Sequence, residues 1–377
     1  MTTPPILTTP PMDRTAQDIH AALVAQLQAH IRGQCGWIGF DDFMAQALYT
    51  PGLGYYAHGS TKFGTMAGSS DFVTAPEMTP LFGQALARQV AQALAATGTD
   101  EIWEFGAGTG ALAVQLLDAL AVLGVQVSRY TIVDLSDSLT ARQKTTLQGH
   151  AGTLRWVQEL PPVIRGVVVG NEVLDAMPVQ LLARVNGRWH ERGVACGDAG
   201  FVWQDRATES RPPVVVEGEH DYLTEIHPQE EAFVRTLADR LEAGAVFLLD
   251  YGFPEGEYYH PQRHMGTVMC HRAHQSDVDP LADVGLKDIT AHVNFTGIAL
   301  AAQDAGLDVL GYTNQAHFLM NCGLVDAMQS APLAERVAAQ KLIMEHEMGE
   351  LFKVIGLVKG PVWDALGFAR GDKTDRL

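Results

Sequence analysis

Apolar residues recur every four positions between Thr15 and about Arg32, at Ile19, Leu23, Leu27 and Ile31, which predicts a helix with one buried face. A second short helix is expected around Asp41–Tyr49, followed by the turn-rich Pro51-Gly52-Leu53-Gly54. Small residues dominate from Gly59 to Ser70, the texture of a mobile loop. Thr79-Pro80 has the form of an N-cap with proline at the first helical position, opening a helix that runs to about Ala96.

From Glu101 the period changes. Short apolar runs at Ile102–Phe105, Arg129–Leu135, Thr153–Val157 and the valine-rich Gly166–Glu172 alternate with helical stretches at Gly110–Leu123 and from Ser136 to before Gly149. Such alternation predicts an α/β core: a parallel sheet with helices on both faces. Residues 184–220 interrupt it with short alternating runs around Asn186-Gly187, the signature of a hairpin. The rhythm resumes with helices at Glu230–Leu241, Thr296–Ala305 and Ala334–His346, and strands at Ala245–Asp250, Asp308–Tyr312 and Phe352–Val358. The expected division is a disordered tail over 1–14, an N-terminal helical region with a cofactor-covering loop over 15–100, and the first part of the core over 101–183. An inserted hairpin region over 184–228, the remainder of the core with an acceptor-side insertion over 229–359, and a C-terminal tail over 360–377 complete it.

Charge narrows the partners. A net charge of −18 over 377 residues argues against nucleic acid, which needs a basic footprint. The four cysteines, Cys35, Cys196, Cys270 and Cys322, lie far apart and form no C-x-x-C pair, which fits a reducing compartment. Met1–Met12 lacks a basic n-region and an apolar h-region, and no apolar stretch approaches the roughly 18 residues of a membrane span. A cytoplasmic protein without membrane insertion is expected.

Glu104-Phe105-Gly106-Ala107-Gly108-Thr109-Gly110 sits where a strand hands over to a helix, so its backbone can turn sharply beside a ligand near a helix N-terminus. Gly106-x-Gly108-x-x-Ala111 satisfies a dinucleotide fingerprint, with Asp134 placed to hold a ribose, and leaves an NAD-dependent oxidoreductase open. The acid two residues before the first glycine, and Gly110, instead resemble the first motif of class I methyltransferases. That resemblance implies S-adenosylmethionine, with Glu104, Gly106, Ala107, Gly108, Gly110, Asp134, Leu135 and Asn171 around it.

Asn171-Glu172-Val173-Leu174-Asp175-Ala176-Met177-Pro178 follows the valine-rich strand, at the carboxyl edge where open α/β sheets bind ligands. Two acids within four residues there are costly to bury unless partnered, and a cationic acceptor would partner them. Glu172 and Asp175 are therefore candidates for orienting the acceptor, one of them taking its proton. The simpler alternative is that they cap the following helix.

Further stretches carry a family likeness. Phe43-Met44, Ala47-Leu48-Tyr49, Pro51–Tyr56 and Ser70–Glu77 resemble the N-terminal signature of the MidA family, which includes the mitochondrial complex I assembly-factor methyltransferase. The likeness continues through Asp250-Tyr251-Gly252 and Asp288–Phe295 and covers roughly residues 40–325. Asn294 stands where Asp is expected, and Val268-Met269-Cys270-His271 replaces a more usual Leu-Arg-x-Tyr-like run. The resemblance implies a Rossmann-like class I methyltransferase sheet with an N-terminal helical region and insertions. It also implies methyl transfer to a protein arginine, with a respiratory-chain subunit as the expected acceptor; a homodimer and a non-catalytic assembly factor are left open. Asp71, Thr74 and Pro76 are expected in a lid over the cofactor, and His292 as a titrating group beside the acceptor. His260, His264, Cys270, His271 and His274 match no standard zinc spacing, so no metal is expected.

Overall fold

Seven strands cross the central sheet of the computed structural model, which describes residues 14–57 and 74–377. They are β1 (Glu101–Phe105), β2 (Arg129–Val133), β3 (Leu154–Val157), β4 (Ile164–Asn171), β5 (Leu241–Phe253), β6 (Asp308–Asn314) and β7 (Phe352–Lys359). Their order is β6-β7-β5-β4-β1-β2-β3, and the two-residue strand Val293–Asn294 pairs with the end of β5. All seven run parallel except β7, which is antiparallel to both β5 and β6. The chain winds outward from β1 through β2 to β3, then crosses back to β4 on the other side of β1. Between β1 and β4 the winding direction reverses, and a crevice opens outside the carboxyl ends of the strands.

The side-chain period of two assigns the core faces. Phe247 and Leu249 of β5 join Val167 and Val169 of β4 under the helices Leu81–Thr97 and Ala111–Val122. Val246, Leu248 and Val168 face the other way, onto the helices Pro228–Arg240 and Phe295–Asp304. Close pairing at the start of β4 requires glycine: a Cβ on Gly166 would lie 2.3 Å from the Glu101 carbonyl, and one on Gly244 only 1.8 Å from the carbonyl of Gly166.

A third cluster lies outside the sheet. Leu23, Leu27 and Ile31 of the helix Arg14–Gly33 are buried with Phe40, Phe43 and Leu48 of the helix Phe40–Tyr49. Both helices pack on an antiparallel sheet of five strands, Trp37–Gly39, Gln180–Val185, Arg188–Gly197, Gly200–Ala207 and Tyr222–Ile226. Asn186 (φ 50°) and Gly187 (φ 74°) form the tight turn that their sequence suggests. The sheet around that turn is larger than a hairpin: Gly200–Ala207 and Tyr222–Ile226 flank its two strands, and the three-residue strand Trp37–Gly39, too short to show alternation, is recruited from the N-terminal region. A small sheet of Met269–Arg272, Gln275–Asp277 and Asp288–Thr290 also escaped the sequence pattern. Beyond Lys359 the chain packs back on the core, with Phe368 buried against Gly311 and Gly356. Among the described residues no helix is long and apolar enough to cross a membrane. The stretches Met1–Met12 and Gly59–Ser70, and the lid candidate Asp71, lie outside the described residues.

Candidate active site

At the switch point the backbone after β1 makes three glycine turns in the left-handed region: Gly106 (φ 63°), Gly108 (φ 52°) and Gly110 (φ 87°). Gly110 precedes the helix Ala111–Val122 and leaves its first N–H groups without a side-chain cap. Glu104, at the end of β1, is buried and accepts a hydrogen bond from the Tyr130 hydroxyl at 2.7 Å. Burial raises its carboxyl to about 7 despite that bond, and the charge of Asp134 adds to the rise. Asp134, just past β2, accepts from Ser136 N at 2.8 Å and from Gln143 Nε2 at 2.7 Å. The same Gln143 nitrogen reaches the Gly108 carbonyl at 3.1 Å, while its oxygen accepts from Trp156 at 3.0 Å. One glutamine thus fastens the glycine loop to the second acid.

These groups border a cavity of about 1090 Å³. Glu104, Gly106, Ala107, Gly108, Asp134, Leu135, Thr74 and Pro76 line one part of it, and Asn171, Glu172, Asp175 and His292 line the rest. Gly110 does not line it; its role is the turn into the helix. Pro76 is held by its carbonyl, which accepts from Gln115 Nε2 at 2.7 Å, and Glu77 accepts a short hydrogen bond from the Thr109 hydroxyl.

The other half is built around Asp250, near the carboxyl end of β5. One of its oxygens accepts from three consecutive backbone N–H groups, those of Val173, Leu174 and Asp175, at 3.1, 2.9 and 3.2 Å. That anchor shapes the loop after β4, in which Glu172 adopts φ 53° and donates its N–H to the Leu249 carbonyl at 2.9 Å. The two acids therefore do not cap a following helix. Burial, and then the charge of Asp175, push Glu172 up to about 8, although Asn171 and the Ala75 backbone hydrogen-bond it. Asp175 rises to about 6 through burial, moderated by a short hydrogen bond from the Tyr251 hydroxyl. Among the described residues no lysine or arginine pairs with Glu172, Asp175 or Asp250.

His292 is not an exposed loop residue. Its ring stacks on Phe253 (5.3 Å, 12°) and meets Tyr251 edge-on (5.1 Å). Burial, reinforced by the positive charge of Arg263, pulls its pKa down to about 4, so the imidazole is neutral near pH 7. It can exchange hydrogen bonds there but does not titrate near neutrality, contrary to the role that its position suggested. Asn294 caps the helix Phe295–Asp304 by accepting from Gly297 N at 3.3 Å, a duty Asn and Asp share. Met269 and His271 line the cavity, while Cys270 between them points into the apolar core. Among the described residues no three His, Cys, Asp or Glu side chains gather in a metal-binding group.

The donor half fits S-adenosylmethionine. Glu104 faces the turn where an ammonium group needs a counter-charge, and Asp134 keeps lone pairs for a ribose diol. Leu135 leaves 71% of its surface open beside Asp134, an apolar wall for a flat base. Val173 stands 3.0 Å from where a Cβ on Gly106 would be, so this approach needs glycine.

A model of a family described as S-adenosyl-L-methionine-dependent methyltransferases matches residues 85–313, more than half the chain. A crystal structure from Burkholderia thailandensis bound to S-adenosyl-homocysteine is 49% identical, with a TM-score of 0.95 over 98% of this chain and 100% of that one. This chain is a MidA-type S-adenosylmethionine-dependent methyltransferase. A native structure from the same organism matches at 47% identity and a TM-score of 0.91, covering 98% of this chain and 100% of that chain. Among curated relatives, the zebrafish Danio rerio "Protein arginine methyltransferase NDUFAF7, mitochondrial" is 27% identical over 86% of this chain and 84% of its own. The Caenorhabditis elegans homologue of that protein is 26% identical over 77% of this chain and 74% of its own. Family membership closes the dinucleotide reading of the glycine loop.

Sequence reasoning missed Gln143, Tyr49, Tyr56 and Asp250 as builders of the site. Asp250 was within reach as an acid closing a core strand. Tyr49 and Tyr56 lie within the family-like stretches but, like Gln143, show no local pattern that assigns them to the site, which they meet only through tertiary packing.

Proposed function

We propose that this methyltransferase acts on an arginine side chain of a protein, with a respiratory-chain subunit as the acceptor that the family resemblance favours. The supporting observation is that half-buried Glu172 and buried Asp175 and Asp250 lack a cationic partner among the described residues. Burying such charges costs several kcal/mol unless a cation compensates, and a guanidinium does so through paired hydrogen bonds. The names of the 24–27% identical curated relatives point the same way.

Bound beside the glycine loop, S-adenosylmethionine supplies an electrophilic methyl group. The protein's task is to align a nitrogen lone pair with it and to receive the proton that nitrogen gives up. Glu172 orients the guanidinium, and Asp175, with Tyr251 as its hydrogen-bond partner, is the proton acceptor. His292 stays neutral and packs the wall behind Tyr251.

The test is incubation with methyl-labelled S-adenosylmethionine and arginine- or lysine-bearing proteins, followed by amino-acid analysis. Methylarginine is expected, and Glu172→Gln should lower the rate about a hundredfold while S-adenosylhomocysteine still binds. Label on another residue type would overturn the arginine assignment. Tight cofactor binding without any labelled protein would favour an assembly factor that does not turn over.

A further inference from the structure

Asp288 lines the same chamber from the small sheet, outside the cofactor-binding core. Its carboxylate is 2% exposed as a residue and accepts the Tyr56 hydroxyl at 2.9 and 2.8 Å, one oxygen also taking its neighbour's N–H, Ile289, at 2.9 Å. Tyr56 stacks on Tyr49 (5.7 Å, 20°), and the Tyr49 hydroxyl donates to the Ala176 carbonyl at 2.8 Å. The stacked tyrosines therefore run between the loop that carries Glu172 and Asp175 and the strand that carries Asp288. A second tie, from Ala291 N to the Asp175 carbonyl at 2.9 Å, fixes the two segments relative to each other. Two carboxylate positions are thus held at a set spacing by an aromatic pair.

We propose that Asp288, oriented by Tyr56, is a second acceptor-binding carboxylate, and that Glu172 and Asp288 together hold two edges of one guanidinium and so select arginine over lysine. The chemistry follows from the shapes of the cations. A guanidinium offers five N–H donors in a rigid plane and can satisfy two separated carboxylates at once, whereas an ammonium is a compact point charge on a flexible stem. The negative charge of Asp288 also adds to the rise of the Glu172 carboxyl, so the two acids feel one another across the chamber. A cation between them relieves that repulsion.

This inference rests on the arginine reading, and one experiment separates the two. Wild type, Asp288→Asn and Tyr56→Phe are compared on matched arginine and lysine peptides, with KM and kcat measured for each and S-adenosylhomocysteine affinity measured by calorimetry. Asp288→Asn should raise KM for the arginine peptide about tenfold to a hundredfold, the loss of a charge-assisted contact, and shrink the arginine-to-lysine preference. S-adenosylhomocysteine affinity should stay within about twofold, because Asp288 lies outside the donor half. Tyr56→Phe keeps the carboxylate but frees its orientation, so KM for the arginine peptide should rise several-fold and the arginine-to-lysine preference should shrink, with kcat little changed. If wild type methylates no arginine, the broader reading fails. If it does and a soluble Asp288→Asn keeps the wild-type KM and preference, this assignment alone is wrong. Should Asp288→Asn not fold, an unchanged KM and an unchanged arginine-to-lysine preference in Tyr56→Phe overturn it equally.

Discussion

Glu172 holds a backbone conformation that costs a non-glycine residue about 1–2 kcal/mol, and it does so at the carboxyl edge of a buried strand. What sustains it is the ring of N–H groups gathered by Asp250 just beyond it. The acid is also held above its ordinary pKa, at about 8 against 4.5, chiefly by burial. The fold therefore favours the neutral carboxyl. Stability from that preference is fully present below pH 4.5 and is lost as pH rises through about 8. Glu172→Gln removes the titration, so its melting temperature relative to wild type should climb between pH 5 and pH 9; a gap that ignores pH would refute the shift. The same linkage predicts that a bound guanidinium expels a proton from Glu172 near neutrality, visible as a binding enthalpy that depends on the buffer's ionisation heat. Glu104, Asp134, Glu172 and Asp175 could be picked out from sequence because each lies within four residues of the carboxyl end of a core strand. Tyr49, Tyr56 and Asp288 fell within family-like stretches, yet nothing in their local pattern says that residues 232 positions apart will share a hydrogen bond.

At the scale of elements, the glycine turn and the helix Asp137–Thr146 act as one unit because Gln143 bonds both the Gly108 carbonyl and Asp134. Gln143→Ala would take one of Asp134's partners, along with the side-chain partner of the Gly108 carbonyl and that of the Trp156 N–H. At about 1–3 kcal/mol for such a loss, S-adenosylhomocysteine affinity should fall roughly five- to a hundredfold with the sheet intact. Calorimetry and circular dichroism check both halves of that statement, and unchanged affinity would show that the loop holds its shape unaided. The core strands and helices were readable from periodicity, since they are long enough for period two or 3.6 to emerge from valine-rich or alternating runs. Trp37–Gly39 and Asp288–Thr290, three residues each, were not, because only partners far along the chain make them strands.

For the whole molecule, the site draws on the N-terminal region, the central sheet, the small sheet and the late connector. No single segment contains it. Saturating S-adenosylmethionine should accordingly stabilise the entire chain, by about 2.7 kcal/mol at a hundred times Kd, and raise the unfolding midpoint in step with concentration. The order in which the chain leaves the ribosome adds a different constraint. β7, the last core strand to be made, is the one that inserts between β5 and β6. Until residue 359 has emerged, both neighbours present bare backbone edges, the geometry that recruits strands from other molecules. A chain stopped at Glu350 should collect in inclusion bodies while the full-length protein stays soluble. Synthesis of this fold thus carries a window of vulnerability that closes only once Phe352–Lys359 has emerged, and until then a nascent-chain chaperone would have most to shield.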